Sequence, residues 1–347
     1  MFRKKKCRQR FTKVFIRETV RDFIQGRSSY AVIKQRKGVS IGTLSSWVNS
    51  FGKSCMSPIK VANTLGLTIY NKWSGILLLD GKYLNKKMML LVAVDYLTLD
   101  IVAHLVSEAE TEKDYIKLVD MVEACGCKIE AVVSDGHSAI LALTQPRKLR
   151  FEKKGTRRYP RPGIPPVVQL KARLEGVPHQ WCVVHAERDL TRKLTKLSKK
   201  KKACLRKLIQ SVLFAKTLAG AKRQMKKLIQ ETRGNPKLYK QTTLWIDERW
   251  EMLTLHHILR INKRKIPRST NAVENTISYL NSRLKTMRRI RSMSSARAIT
   301  NLIVVNYRTK PLINTKNKLK RNKSPLHLVT GTKKKFDWME FVEKSTR

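Results

Sequence analysis

Acidic residues are scarce in this sequence. Only 25 of its 347 residues are Asp or Glu, against 74 Lys and Arg, and the formal net charge is +49. That charge is far larger than solubility requires, so it excludes a surface of balanced charge and predicts a polyanionic partner. The length and a hydrophobic content of 41% are enough for two or three domains with buried cores.

Membrane-targeting features are missing as well. The sequence has no long apolar span and no lipidation signal, and its basic start is followed by no apolar core or cleavage site. Nucleic acid is therefore favoured over an anionic membrane as the partner. The cysteines lack the dense spacing of a disulfide scaffold, which predicts reduced thiols and a cytoplasmic, nucleoid-associated protein. They are Cys7, Cys55, Cys125, Cys127, Cys182 and Cys204.

Zinc-ribbon spacing is absent too. Cys7, in KKKCRQRF, resembles the last ligand of such a ribbon, but a ribbon needs four ligands and no Cys-x-x-Cys stands nearby. We therefore expect no zinc there.

Residues from about 11 to 50 have the rhythm of three short helices. In the third, Ser40 fits the N-cap position, and the apolar residues Ile41, Leu44 and Trp47 recur every three positions. A helix-turn-helix and an ordinary three-helix packing unit both fit this pattern, and the first is favoured. Four short polar side chains suited to a DNA groove are then expected to face outward, namely Thr43, Ser45, Ser46 and Asn49.

Strand-like runs follow a predicted linker. WSGILLLDGKYL, KKMMLLVAVDYL and DIVAHLVSE predict an antiparallel meander, and a helix, a fourth strand and a short helix come next, in the order βββαβα. Residues 147–163 are rich in Lys, Arg and Pro and predict an exposed basic loop or hairpin. A basic all-α insertion and the long helix STNAVENTISYLNSRLKTMRRIRS complete the pattern.

Two aspartates stand at the ends of apolar runs. Asp80 follows ILLL and is the only acid between Asp22 and Asp95, and Asp135 follows AVVS where a strand gives way to a helix. Burying a carboxylate beside such runs is unfavourable unless a cation or hydrogen bonds stabilise it. Asp80 also fits a hairpin turn and Asp135 an N-cap, but both fall at strand ends, where α/β sheets bind ligands.

Glu274 is the only acid between Glu251 and Asp337. It borders an apolar stripe on its predicted helix, formed by Val273, Ile277, Leu280, Leu284 and Met287. A capping box with Asn271 is the alternative explanation for this glutamate. Lys285 and Arg288 lie along the same flank, and with Arg289 they suit contacts to DNA phosphates.

Four motifs in this order resemble the RNase H-like DDE transposases. They are LLLDGKYL around Asp80, VVSDGHSAI around Asp135, WCVVHAERDL with Cys182 and His185, and TNAVENTISYLNSRLK around Glu274. Within that group the sequence is most similar to insertion-sequence transposases of bacteria and archaea related to the eukaryotic Mutator group. The resemblance spans residues 74–307 and implies an α/β fold, in which an RNase H-like core is interrupted by the all-α insertion and preceded by the helix-turn-helix.

The resemblance also implies a chemistry. Asp80, Asp135 and Glu274 would bind two Mg²⁺ or Mn²⁺ ions, with water and then a DNA 3′-hydroxyl as nucleophiles. The Cys-x-x-His pair, Cys182 and His185, is expected to shape the site or contact DNA rather than to bind the catalytic metal. Stacking on an unpaired base is a further role considered for Trp245 and Trp250, although packing in the core is favoured for both.

The expected partners are the terminal repeats of the element, target DNA and a second copy of the chain, because two DNA ends must be joined. A nuclease without strand transfer and a non-catalytic DNA-binding regulator are the alternatives. The predicted domains are a basic arm with the helix-turn-helix (1–53), a linker (54–73), the first part of the core (74–189), the insertion (190–262), the final core helices (263–309) and a basic tail (310–347).

Overall fold

The computed structural model describes residues 11–65, 72–145, 147–148, 169–285, 290, 292–313, 315, 317–332 and 335–342. Cys7, Arg288 and Arg289, and nearly all of the basic segment 147–163, lie outside these residues. The chain divides into two compact units. Unit 1 comprises Met1–Asn71, Leu84–Met88 and Asn275–Arg347, and unit 2 comprises Lys72–Tyr83 and Met89–Glu274. The amino-terminal segment is thus grouped with the carboxyl-terminal helices.

The three short helices predicted near the amino terminus are present and a fourth follows them. They are α1 (Lys13–Gln25), α2 (Tyr30–Lys37), α3 (Ile41–Lys53) and α4 (Pro58–Thr64). Each begins after a Ser or Thr whose side chain accepts a backbone N–H, and Ser40 holds this position in α3 as predicted. Helix α4 lies within the predicted linker. Pro58 begins this helix, because the first turn needs no N–H from proline.

The buried face of α3 differs from the predicted one. Leu44 and Val48 are fully buried, whereas Ile41 is 46% exposed. A helix has 3.6 residues per turn, so positions four apart stay on one face while a strict three-residue repeat drifts away from it. The inferred repeat of Ile41, Leu44 and Trp47 was therefore wrong at its first position.

The predicted order βββαβα is confirmed in unit 2. The elements are β1 (Ile76–Asn85), β2 (Met88–Asp95), β3 (Ile101–Ser107), α5 (Glu112–Ala124), β4 (Ala131–Ser134) and α6 (Ser138–Thr144). Every residue of β2 is buried, as expected for a strand covered on both faces. Helix α5 buries the face predicted from its periodicity, formed by Tyr115, Leu118, Val119 and Val122.

Five strands form the main sheet. After β5 (Arg147–Lys148) and β6 (Gln169–Leu170), which pair with each other, the chain forms β7 (His179–Trp181) and α7 (Val183–Lys193). The sheet order is β3-β2-β1-β4-β7. Strands β2 and β3 are antiparallel, whereas β1 pairs with β4 and β4 with β7 in parallel. The carboxyl ends of β1, β4 and β7 therefore point the same way.

The segment predicted as an all-α insertion is mostly helical. It contains α8 (Lys199–Leu213), α9 (Leu218–Thr232), α10 (Pro236–Tyr239), a π-helical turn (Lys240–Leu244), α11 (Trp245–Asp247) and α12 (Trp250–Ile258). Leu205, Ile209 and Leu228 belong to its apolar core, which also includes Leu190 of α7. A short hairpin, β8 (Arg260–Ile261) and β9 (Arg264–Lys265), departs from the all-α expectation.

Two long helices and two short ones complete the chain. They are α13 (Asn271–Leu284), α14 (Met293–Thr309), α15 (Pro325–Thr330) and a 3-10 turn (Trp338–Phe341). In unit 1, α3 packs so closely on α14 that a Cβ at Gly52 would overlap the Ala298 carbonyl. Ile277 and Leu280 are buried, as the stripe predicted. Among the described residues, no helix is both long and apolar enough to cross a bilayer.

Candidate active site

Three predicted site residues lie just beyond the paired parts of the parallel strands β1, β4 and β7. Leu78 of β1 pairs with Val133 of β4, and Ser134 of β4 pairs with Trp181 of β7. Extending the first register by two residues brings Asp80 opposite Asp135, and extending the second by one brings Asp135 opposite Cys182. Neighbouring strands lie about 4.8 Å apart, and residues in one row point to the same face. Continuation of the register would therefore bring Asp80, Asp135 and Cys182 side by side.

Asp80 does not lie in a turn. Strand β1 continues past it to Asn85, so the hairpin-turn alternative is wrong. The backbone N–H of Gly81 donates to Asp80 Oδ1 at 2.8 Å. Burial raises the pKa of Asp80 to about 7, and the negative charges of Asp135 and Glu274 act in the same direction, while Gly81 and His185 oppose them. The charges of Asp135 and Glu274 therefore both destabilise the charged form of Asp80.

Asp135 is not the N-cap of the helix that follows it. That position belongs to His137, whose backbone N–H donates to Asp135 Oδ1 at 2.9 Å. Gly136, between them, has a φ of +83°, and a Cβ there would overlap the Trp181 ring. A glycine is therefore required where the chain turns sharply after β4, and this turn holds the Asp135 carboxylate at the strand end.

Glu274 is held by a threonine that the sequence reasoning missed. Its backbone N–H donates to the Thr270 carbonyl, which begins the helix, so Glu274 lies one position beyond the place a capping box requires. The Thr270 hydroxyl donates to Glu274 Oε1 at 3.1 Å. The capping box with Asn271 is therefore wrong. The signal for Thr270 was its type and its place in the first residues of the predicted helix, where Ser and Thr are common caps.

The Cys-x-x-His pair lies beside Glu274. Ligand atoms of Cys182, His185 and Glu274 lie within 4.8 Å of one another, with His185 Nδ1 3.8 Å from Glu274 Oε1. The Thr270 N–H donates to Cys182 Sγ at 3.3 Å, and its hydroxyl lies 3.4 Å from His185 Nδ1. Thr270 thus links both members of the pair to the glutamate. Asp80 and Asp135 are outside this 4.8 Å cluster.

Cys182 and His185 shift the pKa of each other in opposite directions. Burial acts to raise the pKa of the Cys182 thiol, but hydrogen bonds with His185 and Thr270 outweigh it and the pKa is lowered. The hydrogen bond with Cys182 raises the pKa of His185 despite burial, and the charges of Asp135 and Glu274 add to the increase. Each member of the pair therefore stabilises the charged form of the other.

A second polar group flanks Asp80. The Tyr115 hydroxyl donates to Glu110 Oε1 at 2.6 Å, and His137 Nδ1 lies 3.5 Å from the same oxygen. A Cβ at Gly81 would lie 3.0 Å from that oxygen, so Glu110 approaches the strand next to Asp80. Sequence reasoning missed this group, because no local pattern links Glu110 to β1.

One comparison with known proteins gives a match. Residues 165–307 match the family model described as Transposase, Mutator family. The chain resembles the Mutator-family transposases. The match covers less than half of the chain and includes Cys182, His185 and Glu274 but neither aspartate, and it confirms the resemblance inferred from the motifs. No curated protein matches the chain.

The two tryptophans considered for base stacking pack against the apolar core of the insertion. Trp245 meets Trp181 edge to face, with ring centroids 5.4 Å apart. Lys193 and Arg249 lie over the Trp245 ring at 4.7 and 4.6 Å from its centroid. These contacts agree with the favoured core role for Trp245 and Trp250 and leave base stacking by this Mutator-like chain a prediction.

The predicted DNA-contacting residues of α3 are only partly outward. Ser46 is exposed, whereas Thr43, Ser45 and Asn49 are half-buried. The Asn49 amide donates to the Ser45 carbonyl at 2.8 Å, and the Thr43 hydroxyl lies 2.8 Å from that of Ser40. Lys285, at the end of α13, is exposed. Groove recognition by α3 stays a prediction.

Proposed function

We propose that this chain is a DDE transposase that cleaves DNA and transfers the strands of an insertion sequence. The observation that carries the proposal is that Asp135 and Glu274 both act on the pKa of Asp80, where Asp80 lies in β1 and Asp135 directly follows the adjacent parallel strand β4. The Mutator-family match over the segment that contains Glu274 supports it. Carboxylates from three separate elements that share one site are what two-metal phosphodiester chemistry requires.

We further propose that unit 2 contains an RNase H-like core. Two features of the sheet order β3-β2-β1-β4-β7 support this. The first three strands are neighbours in the sheet. Strands β4 and β7, which follow α5 in the chain, add to the β1 side and run parallel to β1. Asp80 and Asp135 then come from the first and fourth strands, and Glu274 comes from the helix after the insertion.

The donor set fits Mg²⁺ or Mn²⁺. Hard divalent cations prefer carboxylate oxygens. Burial and neighbouring acids raise the pKa of Asp80 to about 7, so a nearby cation would stabilise the charged form of this carboxylate. Asp80, Asp135 and Glu274 would hold two ions, which would activate the attacking oxygen and stabilise the leaving one.

The residues around the carboxylates position them. Gly81 and His137 fix the two aspartates through backbone N–H groups, and Thr270 fixes Glu274. We propose that Cys182 and His185 hold Thr270, and through it Glu274, and do not ligate the catalytic metal. His185 also lowers the negative potential around Asp80.

DNA is the proposed partner. The net charge of +49 provides strong attraction for phosphate, and α3 offers a candidate helix for the major groove. Pairing of two DNA ends also leads us to propose a dimer or larger assembly in the active complex.

The test is incubation of the full chain with labelled element ends and target plasmid in Mg²⁺. Glu274→Gln should lower cleavage and joining by about 10³-fold or more, because it removes a metal ligand, whereas Glu251→Gln, an exposed acid on α12, should leave both unchanged. Cleavage without joining would favour the nuclease. If the wild type binds DNA in a salt-sensitive way but neither cleaves nor joins it, the DNA-binding regulator is favoured and the enzymatic function is refuted.

A further inference from the structure

Unit 1 contains a cavity whose lining residues all lie outside the candidate active site. Its volume is about 510 Å³, and it is lined by Arg21, Arg283, Asn306, Lys310, Asp337 and Trp338, among others. Pockets for small ligands have volumes of about 300–1,000 Å³, so this one accommodates a group the size of a mononucleotide. We refer to it below as the cationic cavity.

Positive charge in the cationic cavity exceeds negative charge. Arg21, Arg283 and Lys310 supply three cations, and Asp337 is the one acid among the lining residues. Asp337 pairs with Arg21 at 2.5 Å. Burial lowers the pKa of Lys310, and the charges of Arg283 and Arg27 lower it further. Among the described lining residues, three cations therefore stand against one carboxylate.

The cations are held in place by their surroundings. The Arg283 guanidinium donates to the Gln25 carbonyl and lies over the Tyr279 ring at 5.2 Å from its centroid. Lys310 Nζ lies 5.1 Å from the same centroid. Side chains fixed before binding lose little conformational entropy when a ligand arrives, which favours a binding role over a solvated surface patch.

Two buried donors at the cavity have no hydrogen-bond partner among the described residues. Trp338 is 2% exposed, and its indole Nε1 makes no hydrogen bond there, and neither does Arg21 Nε. Buried donors are almost always paired in folded proteins, and an unpaired one calls for a ligand or an ordered water. Both donors thus lack an acceptor among the described residues, and both belong to residues that line the cationic cavity.

We propose that the cationic cavity binds a phosphate group. Phosphate combines negative charge with several acceptor oxygens, and so matches arginine, lysine and N–H donors together. The same chemistry occurs in free phosphate, in a nucleotide and at the phosphorylated end of a DNA strand. The inference does not depend on the proposed catalysis, since every residue that carries it belongs to unit 1.

The test measures binding to the full chain by calorimetry, with inorganic phosphate, deoxyadenosine 5′-monophosphate, and a short duplex with or without a 5′-phosphate as probes. Lys310→Gln should weaken binding of the recognised probe about tenfold, because it removes one charged donor. Asp337→Asn should tighten binding several-fold, because it removes the competing carboxylate while keeping the oxygen that accepts the Met339 N–H. Lys318→Gln, an exposed residue outside the cavity, is the matched control.

Opposite effects of Lys310→Gln and Asp337→Asn on any probe support the proposal, and the probe that shows them identifies the source of the phosphate. Equal binding by wild type and both variants, or weaker binding by Asp337→Asn, overturns it. Thermal unfolding of each variant shows whether it is folded, and if Lys310→Gln is not, Asp337→Asn alone decides.

Discussion

The carboxylates of the candidate site should make the metal-free protein less stable at neutral pH. The structure places the pKa of Asp80 at about 7, against an ordinary 3.8, because of burial and neighbouring negative charge. Three pKa units correspond to about 4 kcal/mol, an upper limit because the side chain is only half-buried. Asp80→Asn should therefore stabilise the metal-free chain by about 2–4 kcal/mol at pH 8.

The sign follows from proton binding. Between pH 4 and pH 7 the unfolded chain loses the Asp80 proton while the folded chain keeps it, so the wild type loses stability as the pH rises. Asparagine does not titrate, and its oxygen can still accept the Gly81 N–H. The difference between the two proteins should be absent near pH 4, grow as the pH rises and level off above about pH 7.

The assay is denaturant unfolding in EDTA at a series of pH values. Asp114→Asn is the matched control with the opposite sign. Burial acts to raise the pKa of Asp114, but hydrogen bonds from Thr111 and Ser107 outweigh it and the pKa is lowered, so this variant should be less stable at pH 8. Equal stability of wild type and Asp80→Asn at pH 8 would refute the electrostatic picture of the site. Added Mn²⁺ should stabilise the wild type and not Asp80→Asn.

Three further predictions concern positions around the site. Burial lowers the pKa of His179 to about 4. The wild type should therefore lose up to about 3 kcal/mol of stability as the pH falls from about 6.5 to 4. His179→Gln should not show this loss in the same unfolding series. Gly136→Ala should destabilise the fold by about 3 kcal/mol or more in thermal unfolding, since it places a Cβ at positive φ against Trp181, and an unchanged melting temperature would contradict the geometry. Thr270→Val should weaken Mn²⁺ binding several-fold with little loss of stability, because it frees Glu274 from its hydroxyl donor, whereas Thr270→Ser should retain binding.

Much of the sheet could be predicted from local patterns. Alternating and continuous apolar runs gave β1 to β4 and their order, because these patterns report which faces are buried. The places of Asp80 and Asp135 after apolar runs were also visible. The continuation of β1 beyond Asp80 was not, because the polar residues after it carry no apolar pattern and are held by pairing within the sheet.

Features that depend on contacts distant in sequence could not be predicted. The alignment of Asp135 with Cys182 follows from the β4–β7 register, and the link from Cys182 to Glu274 passes through Thr270, 88 residues away from Cys182. Local periodicity does not report strand partners or the packing of a helix end on a strand. The buried face of α3 was misjudged because a repeat of three residues does not match the 3.6 residues per turn of a helix, so Val48 and not Ile41 shares the buried face with Leu44.

The central claim is that Asp80, Asp135 and Glu274 together hold divalent cations, and Mn²⁺ binding measured by electron paramagnetic resonance tests it most directly. With element-end DNA present, the wild type should bind about two ions per chain, and each of Asp80→Asn, Asp135→Asn and Glu274→Gln should bind fewer or bind them at least about tenfold more weakly. Wild-type stoichiometry and affinity in all three variants would contradict the claim.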